Sequence, residues 1–376
     1  MKKKKIVHLQ LLPLLSGVQN VTLQELERLD DNCYDKYIIC KERGPLCFAA
    51  NKINAEVFFC KNLCRNIHPV KDILSFFSLY FLFKKNSFDI VHTHSAKTGF
   101  VGRIAAKLAG VKIIVHTVHG FPFDSTSSTL VKKIYVLLEK IAAKCSTHIV
   151  CLHNADRDIC INQLGINPKK IKVIPNGVDI ARFTPLHEND KKNLREKNNF
   201  SKNSLVFIMV GRLWIQKNPI VYIKAAIKII EEKKYPEIKF LLVGDGELKT
   251  EIESLIKGYE TQIVMLGWQN NVSDYLKLSD VFVLPSLWEG MPLATLEAQA
   301  VGLPCLVSNV TGNLSTVSDG VEGYTFPPTQ AEALKLLMLK MIDSKLREKL
   351  SMSARQKIIK QHNIRDRINL IEELYK

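Results

Sequence analysis

The chain has 376 residues, long enough for two domains of ordinary size. With 46% hydrophobic and 24% charged residues and a mean hydropathy of 0.00, it reads as globular with a sizeable core, which excludes a disordered or fibrous chain. The formal net charge of +16 is uneven: residues 1–180 carry 26 Lys+Arg against 14 Asp+Glu and the remainder 27 against 23, so the first half suits an anionic partner such as a phosphorylated substrate, nucleic acid or an acidic membrane surface.

The chain starts with basic Lys2 to Lys5, but the apolar run that follows is broken by His8, Gln10 and Pro13, unlike a signal peptide. No run has the length of a membrane-spanning helix. The nine cysteines include no CxxC, which describes free thiols in a reducing, cytoplasmic compartment. Lys4 to Gln10 reads as a buried first strand. It leads through Ser16-Gly17 into a helix from Val21 to Leu29, a strand–turn–helix corner able to cradle an anion at Gly17. A plain loop glycine is the competing reading. Tyr37 to Cys40 and Ala55 to Phe59 are further strands.

Val70 to Lys85 is apolar around most of a helix and flanked by lysines. It fits either a crossover helix packed on a sheet or an interfacial helix dipping into acidic lipid, and the packed reading is favoured. Phe88 to His94 is a strand that ends in two histidines at i and i+2, on one face. No cysteine or carboxylate accompanies them, so no metal site is assigned. Val111 to Val115 is a strand, and the segment His116 to Phe123 after it offers His119, before Gly120, as a substrate-facing imidazole. A satisfied core histidine is the alternative. Helices over Lys132–Lys144 and His153–Leu164 alternate with strands at Thr147–Cys151 and Ile171–Ile174. Such βαβα alternation predicts a parallel, doubly wound sheet.

Pro175-Asn176-Gly177-Val178-Asp179 breaks the pattern. The polar stretch that follows predicts a domain boundary, with domain one at 1–180, a linker at 181–204, domain two at 205–362 and a last helix at 363–376. In the second series, strand Leu205–Val210 ends in Gly211-Arg212, with Lys217 at the next helix start. An Arg fork and a Lys point charge suit a diphosphate, whereas two basic residues in an ordinary loop would be solvated. Strand Val281–Leu284 runs into PSLWEGMPLATLEAQA, residues 285–300. Glu289 falls in a loop at a strand's carboxyl end, where ligands bind in open α/β sheets, and Glu297 about two turns along the next helix. Gly290 permits a close backbone approach, Pro292 suits a first helical turn, and the N–H groups from Gly290 through Met291, Pro292's neighbours and Leu293 face an anion. A loop charge and a solvated helix charge are the bland reading of the two acids.

These pieces together resemble the retaining glycosyltransferases of the GT-B fold, family 4. The likeness rests on Glu289…Glu297, on Gly211-Arg212…Lys217, on Ile174-Pro175-Asn176-Gly177-Val178-Asp179, on His92-Thr93-His94-Ser95 and on Val118-His119-Gly120, and it spans nearly the whole chain. Two positions differ from the family pattern. Its first Gly-Gly reads Ser16-Gly17, and the Lys-Gly after its phosphate arginine reads Lys217-Asn218. The resemblance implies an α/β architecture of two Rossmann-like domains facing across a cleft, with a C-terminal helix returning to the first. It implies transfer of a hexose from a nucleotide diphosphate sugar, with neither a further cofactor nor a metal, onto a glycan or polyprenyl-diphosphate-linked acceptor of cell-surface polysaccharide or lipopolysaccharide. By residue, it implies that Arg212 and Lys217 hold the diphosphate, with Gly211 and the backbone of Gly290, Met291, Pro292 and Leu293 around it. Glu297 would take the ribose hydroxyls, Glu289 the sugar hydroxyls, His119 the transferred sugar, and Gly17 would admit acceptor and phosphate. A nucleotide-sugar epimerase on the same fold and, from charge alone, a nucleic-acid binder are the other readings. A peripheral site on the inner face of the cytoplasmic membrane suits the first.

Overall fold

The computed structural model describes residues 2–64, 68–121 and 129–376. Pro122 and Phe123 lie outside the described residues. The chain forms two compact units, one of residues 1–176 with 365–376 and the other of residues 177–364.

The first unit runs β1 (Lys4–Leu9), α1 (Gly17–Arg28), β2 (Tyr34–Cys40), α2 (Pro45–Lys52), β3 (Glu56–Phe59), α3 (Pro69–Asn86), β4 (Ile90–His94), α4 (Ala96–Leu108), β5 (Ile113–Thr117), α5 (Thr129–Cys145), β6 (His148–Cys151), α6 (Asn154–Asn162) and β7 (Ile171–Val173). Its seven strands are all parallel, in the order β3-β2-β1-β4-β5-β6-β7. Alternate residues feed two cores. Ile6, Ile38, Ile90 and Val115 pack on Leu26 of α1 and Leu46 of α2, while Val7, Ile39, Val91 and Ile114 pack on Leu79 and Phe83 of α3 and Ala105 of α4. Burial on both faces is why these strands read as apolar runs and not as alternation.

The second unit runs α7 (Glu188–Lys197), β8 (Leu205–Val210), α8 (Pro219–Glu231), β9 (Ile238–Val243), α9 (Lys249–Leu255), β10 (Ile263–Gly267), α10 (Val272–Leu278), β11 (Val281–Leu284), α11 (Leu293–Ala300), β12 (Cys305–Ser308), α12 (Thr311–Leu314), β13 (Gly323–Phe326), α13 (Ala331–Lys340) and α14 (Ser344–Gln361), and α15 (Ile364–Glu373) follows. Its parallel strands lie in the order β10-β9-β8-β11-β12-β13. In both sheets the order reverses beside the first strand, at β1/β4 and β8/β11, which opens a crevice at the strands' carboxyl ends.

The expected linker at 181–204 is corrected. It contains α7, which packs on α10 within the second unit. Arg195 is buried there and donates to the Leu278 carbonyl at 2.8 Å and to Asp280 at 2.6 Å, while Lys191 reaches the same carboxylate at 2.7 Å. In sequence, cations that serve one half-buried acid look no different from solvated charge. The real junctions are Asn176/Gly177 and Ile364/Arg365. Gly177 is needed where the chain passes Ile364, because a Cβ there would lie 2.7 Å from the Ile364 Cα. Beyond that point the last residues return to the first unit, as expected. Arg367 pairs with Glu25 at 2.6 Å and donates to the carbonyls of Ile174 and Pro175, and Tyr375 is fully buried.

Candidate active site

In the second unit the residues expected around a diphosphate sit at the carboxyl ends of β8 and β11. Gly211, Arg212 and a 3-10 turn over Ile215–Lys217 follow β8. Asn218 then takes a left-handed conformation at φ 53°, and its amide donates to the Pro328 carbonyl at 2.7 Å. That conformation favours glycine and tolerates asparagine, which is how Lys217-Asn218 replaces Lys-Gly without altering the corner. The Arg212 guanidinium lies over the Trp214 ring, 3.8 Å from its centroid.

The turn brings Lys217 to Glu289. Its Nζ is 2.5 Å from Glu289 Oε1, and the Ser286 hydroxyl donates to the same oxygen at 2.6 Å. The loops after β8 and β11 are joined again by the Leu287 N–H to the Gln216 carbonyl at 2.8 Å and by the Gln216 amide to the Trp288 carbonyl at 3.0 Å. Beneath them the buried Ser308 hydroxyl holds the Ser286 carbonyl, and the Asn313 amide holds Ser308. Gly312 presses on the loop, since a Cβ there would lie 2.3 Å from the Glu289 carbonyl oxygen. Ser286, Ser308, Gly312 and Asn313 escaped the sequence reading. The small residues following a strand end were the available signal.

Pro292 is the residue before α11, not part of its first turn, at φ −71° and ψ 118°. No side chain caps the helix, so the N–H groups of its first turn face outward from Leu293. Met291 and Leu293 are largely buried and fix the approach of this backbone. Glu297 is partly buried, and among the described residues no group hydrogen-bonds its carboxylate. Desolvation lifts its carboxyl to about 7 against the pull of Arg182. A half-buried acid without a hydrogen-bonded partner is suited to accept from hydroxyls.

In the first unit Gly17 is the first residue of α1, and the space where a Cβ would stand is open. His119, after β5, belongs to a buried histidine chain. Gln10 accepts from Gln19 and donates to the Thr22 hydroxyl, which lies 3.3 Å from His94 Nε2. His8 Nδ1 lies 3.0 Å from that same nitrogen and His94 Nδ1 lies 3.1 Å from His119 Nε2, so hydrogen bonds run from ring to ring between β1 and the loop after β5. His119 keeps its other ring nitrogen, Nδ1, outside this contact. Desolvation, with Arg367 adding to it, lowers it to about 3, so the ring is neutral at pH 7. His92 closes the cluster through the Tyr375 hydroxyl at 2.6 Å and Thr117 at 2.7 Å.

His8, Glu25, His92 and His94 bring four buried ligand atoms within 4.8 Å of one another, the most metal-like set among the described residues. The nitrogens bond to each other, Thr22, Tyr375 and Thr117, and Glu25 Oε1 bonds to the Arg367 guanidinium, while Glu25 Oε2 faces His8 and His92 at 4.0 and 3.9 Å without a hydrogen bond. A cation would have to displace these bonds beside a fixed positive charge. His8 entered the sequence reading only as an interruption of an apolar run, and a charge-breaking polar residue inside a buried strand was the missed signal.

Comparison with known proteins decides the family. Residues 15–182 match the Glycosyltransferase Family 4 model and residues 190–357 match Glycosyl transferases group 1. The chain is 49% identical to the UDP-Gal:alpha-D-GlcNAc-diphosphoundecaprenol alpha-1,3-galactosyltransferase of Escherichia coli over 99% of its length and 97% of that protein's. The chain belongs to glycosyltransferase family 4. It is also 28% identical to the capsular polysaccharide biosynthesis glycosyltransferase CapM of Staphylococcus aureus, over 95% and 93% of the two chains. The crystal structure of Anabaena HepE with UDP-glucose superposes with a TM-score of 0.83 at 19% identity, covering 98% of each chain, which shows the shared GT-B fold. As a family 4 glycosyltransferase the protein is an enzyme, and the nucleic-acid reading falls away.

Proposed function

We propose that the protein transfers galactose from UDP-galactose to an N-acetylglucosamine carried on undecaprenyl diphosphate, retaining the α configuration and using no bound metal, in the assembly of a cell-surface glycan. The carrying observation is the Lys217–Glu289 pair at 2.5 Å beside the uncapped start of α11. A phosphate group and a sugar joined by one bond need a cation and a hydroxyl acceptor side by side, and this pair supplies both. The 49% identity to an enzyme named for that reaction supports this choice of donor and acceptor.

In this reading Lys217, Arg212 and the first N–H groups of α11 bind the diphosphate and stabilise the charge left on it as the glycosidic bond breaks. Glu289 accepts from sugar hydroxyls and supports positive character at the anomeric carbon. Glu297 accepts from the ribose. Neutral His119 contacts the transferred sugar, and Gly17 leaves room for acceptor and phosphate. With the acceptor's lipid chain remaining in the bilayer, the reaction takes place at an acidic membrane surface.

The test is a donor panel of UDP-galactose, UDP-glucose, UDP-N-acetylgalactosamine and UDP-N-acetylglucosamine with a short-chain diphosphate-linked N-acetylglucosamine, with and without EDTA, and NMR of the product anomer. Transfer of α-galactose in EDTA is expected. A β product, loss of activity in EDTA, or conversion of donor without acceptor, as an epimerase would give, each overturns part of the reading.

A further inference from the structure

The strongest feature outside the site lies on the outer layer of the first unit. Helix α3 enters the core along a narrow seam, Ser75, Leu79 and Phe83. The opposite side is apolar as well: Val70, Ile73, Leu74, Phe77 and Phe81 are exposed by 62, 57, 48, 50 and 63%. Their spacing of three and four places them on one stripe. Helix α5 repeats the pattern, with Leu130, Ile134, Leu137 and Ile141 exposed by 69, 42, 58 and 43%. Both helices pack against α4, on the sheet face opposite α1 and α2, so the two stripes lie on one side of the unit. Soluble surfaces seldom carry so much contiguous apolar area.

Charge says what covers it. Lys71, Lys84 and Lys85 are exposed on α3, and Lys133, Lys140 and Lys144 on α5. Each helix has one acid, and both are turned inward to cations of α4: Asp72 to Lys97 at 2.8 Å and Glu139 to buried Arg103 at 2.7 Å. Among the described residues of these two helices, the outward face is thus apolar with a cationic border. A second copy of this face would meet it lysine against lysine. Neither helix is long and apolar enough to cross a bilayer.

We propose that α3 and α5 together form the surface by which the protein docks on an acidic lipid bilayer, their stripes lying in the interface and their lysines on the headgroups. The inference rests on the lipid-linked acceptor of the proposed function and adds where the enzyme meets the membrane.

Flotation with phosphatidylcholine vesicles, with and without phosphatidylglycerol, tests it. Wild type is expected to float with the acidic vesicles and far less with the neutral ones. Charge reversal at Lys84 and Lys85, and separately at Lys140 and Lys144, should each lower binding by about 30-fold or more, as should Phe77→Ser with Leu137→Ser. These variants should keep their melting temperature and their transfer to a short-chain, water-soluble acceptor. Wild type that ignores acidic vesicles, or variants that bind them unchanged, overturn the proposal. So does a concentration-dependent dimer that Phe77→Ser dissolves, which would make the face a contact between copies. Vesicle binding without transfer would instead count against the proposed reaction and leave docking intact.

Discussion

Lys217 and Glu289 are 72 positions apart and share one hydrogen-bonded contact, so each should matter in a different kinetic term. Replacing Glu289 with Gln keeps its size but removes the charge proposed to face the sugar. Transfer should fall about 100-fold or more while UDP affinity changes little in calorimetry. Lys217→Ala should weaken UDP binding as well as turnover. Glu297 gives a pH signature. With its carboxyl at about 7 when free, and the ribose bound by the ionised form, binding releases a proton. UDP affinity should therefore rise from pH 6 to pH 8 and then level off. Glu297→Gln should weaken binding and flatten the profile; a slope that survives the substitution assigns it to another group.

Elements position these groups through small residues and short bonds. Strand-end loops after β8 and β11 are tied backbone to backbone, and α12 clamps the second loop through Gly312 and Asn313. Gly312→Ala puts a methyl where the Glu289 carbonyl stands, and the loop must move. Circular dichroism should show a folded protein whose transfer has dropped by at least about tenfold, because small misplacement of catalytic groups costs that much or more. Normal activity would mean the loop relaxes freely. The same scale explains α3. Its sequence fits both a packed and an interfacial helix, and the structure keeps the two on opposite sides of one helix.

At the scale of the whole molecule, the first unit is closed by the end of the chain. Arg367 is the cation of buried Glu25, so Arg367→Ala leaves an uncompensated buried acid and should cost about 3–5 kcal/mol in chemical denaturation. The histidine chain predicts acid sensitivity. His8 and His119 are lowered to about 3 by burial first and Arg367 second, and His92, His94 and His116 are also lowered, so the unfolded chain binds more protons below pH 6.5. Stability should fall steadily as pH drops from 6.5 toward 3. A two-transition thermal scan should show one transition, that of the first unit, moving down much further than the other between pH 7.5 and pH 5. Equal shifts would place the acid-labile groups elsewhere.

Sequence alone determined the elements and their class. Buried parallel strands are written as apolar runs, so the places of Gly211, Arg212, Lys217 and Glu289 after strand ends, and of Glu297 on the helix that follows, were legible. Only the tertiary structure decided what touches what. That Lys217 meets Glu289, that the polar stretch at 188–197 is a helix built around Asp280, and that His8 and Tyr375 stand behind His119 all depend on contacts between distant positions. Local composition has no term for such contacts. A lysine facing water and a lysine facing a buried acid are the same letter, and only the fold supplies the neighbour that tells them apart.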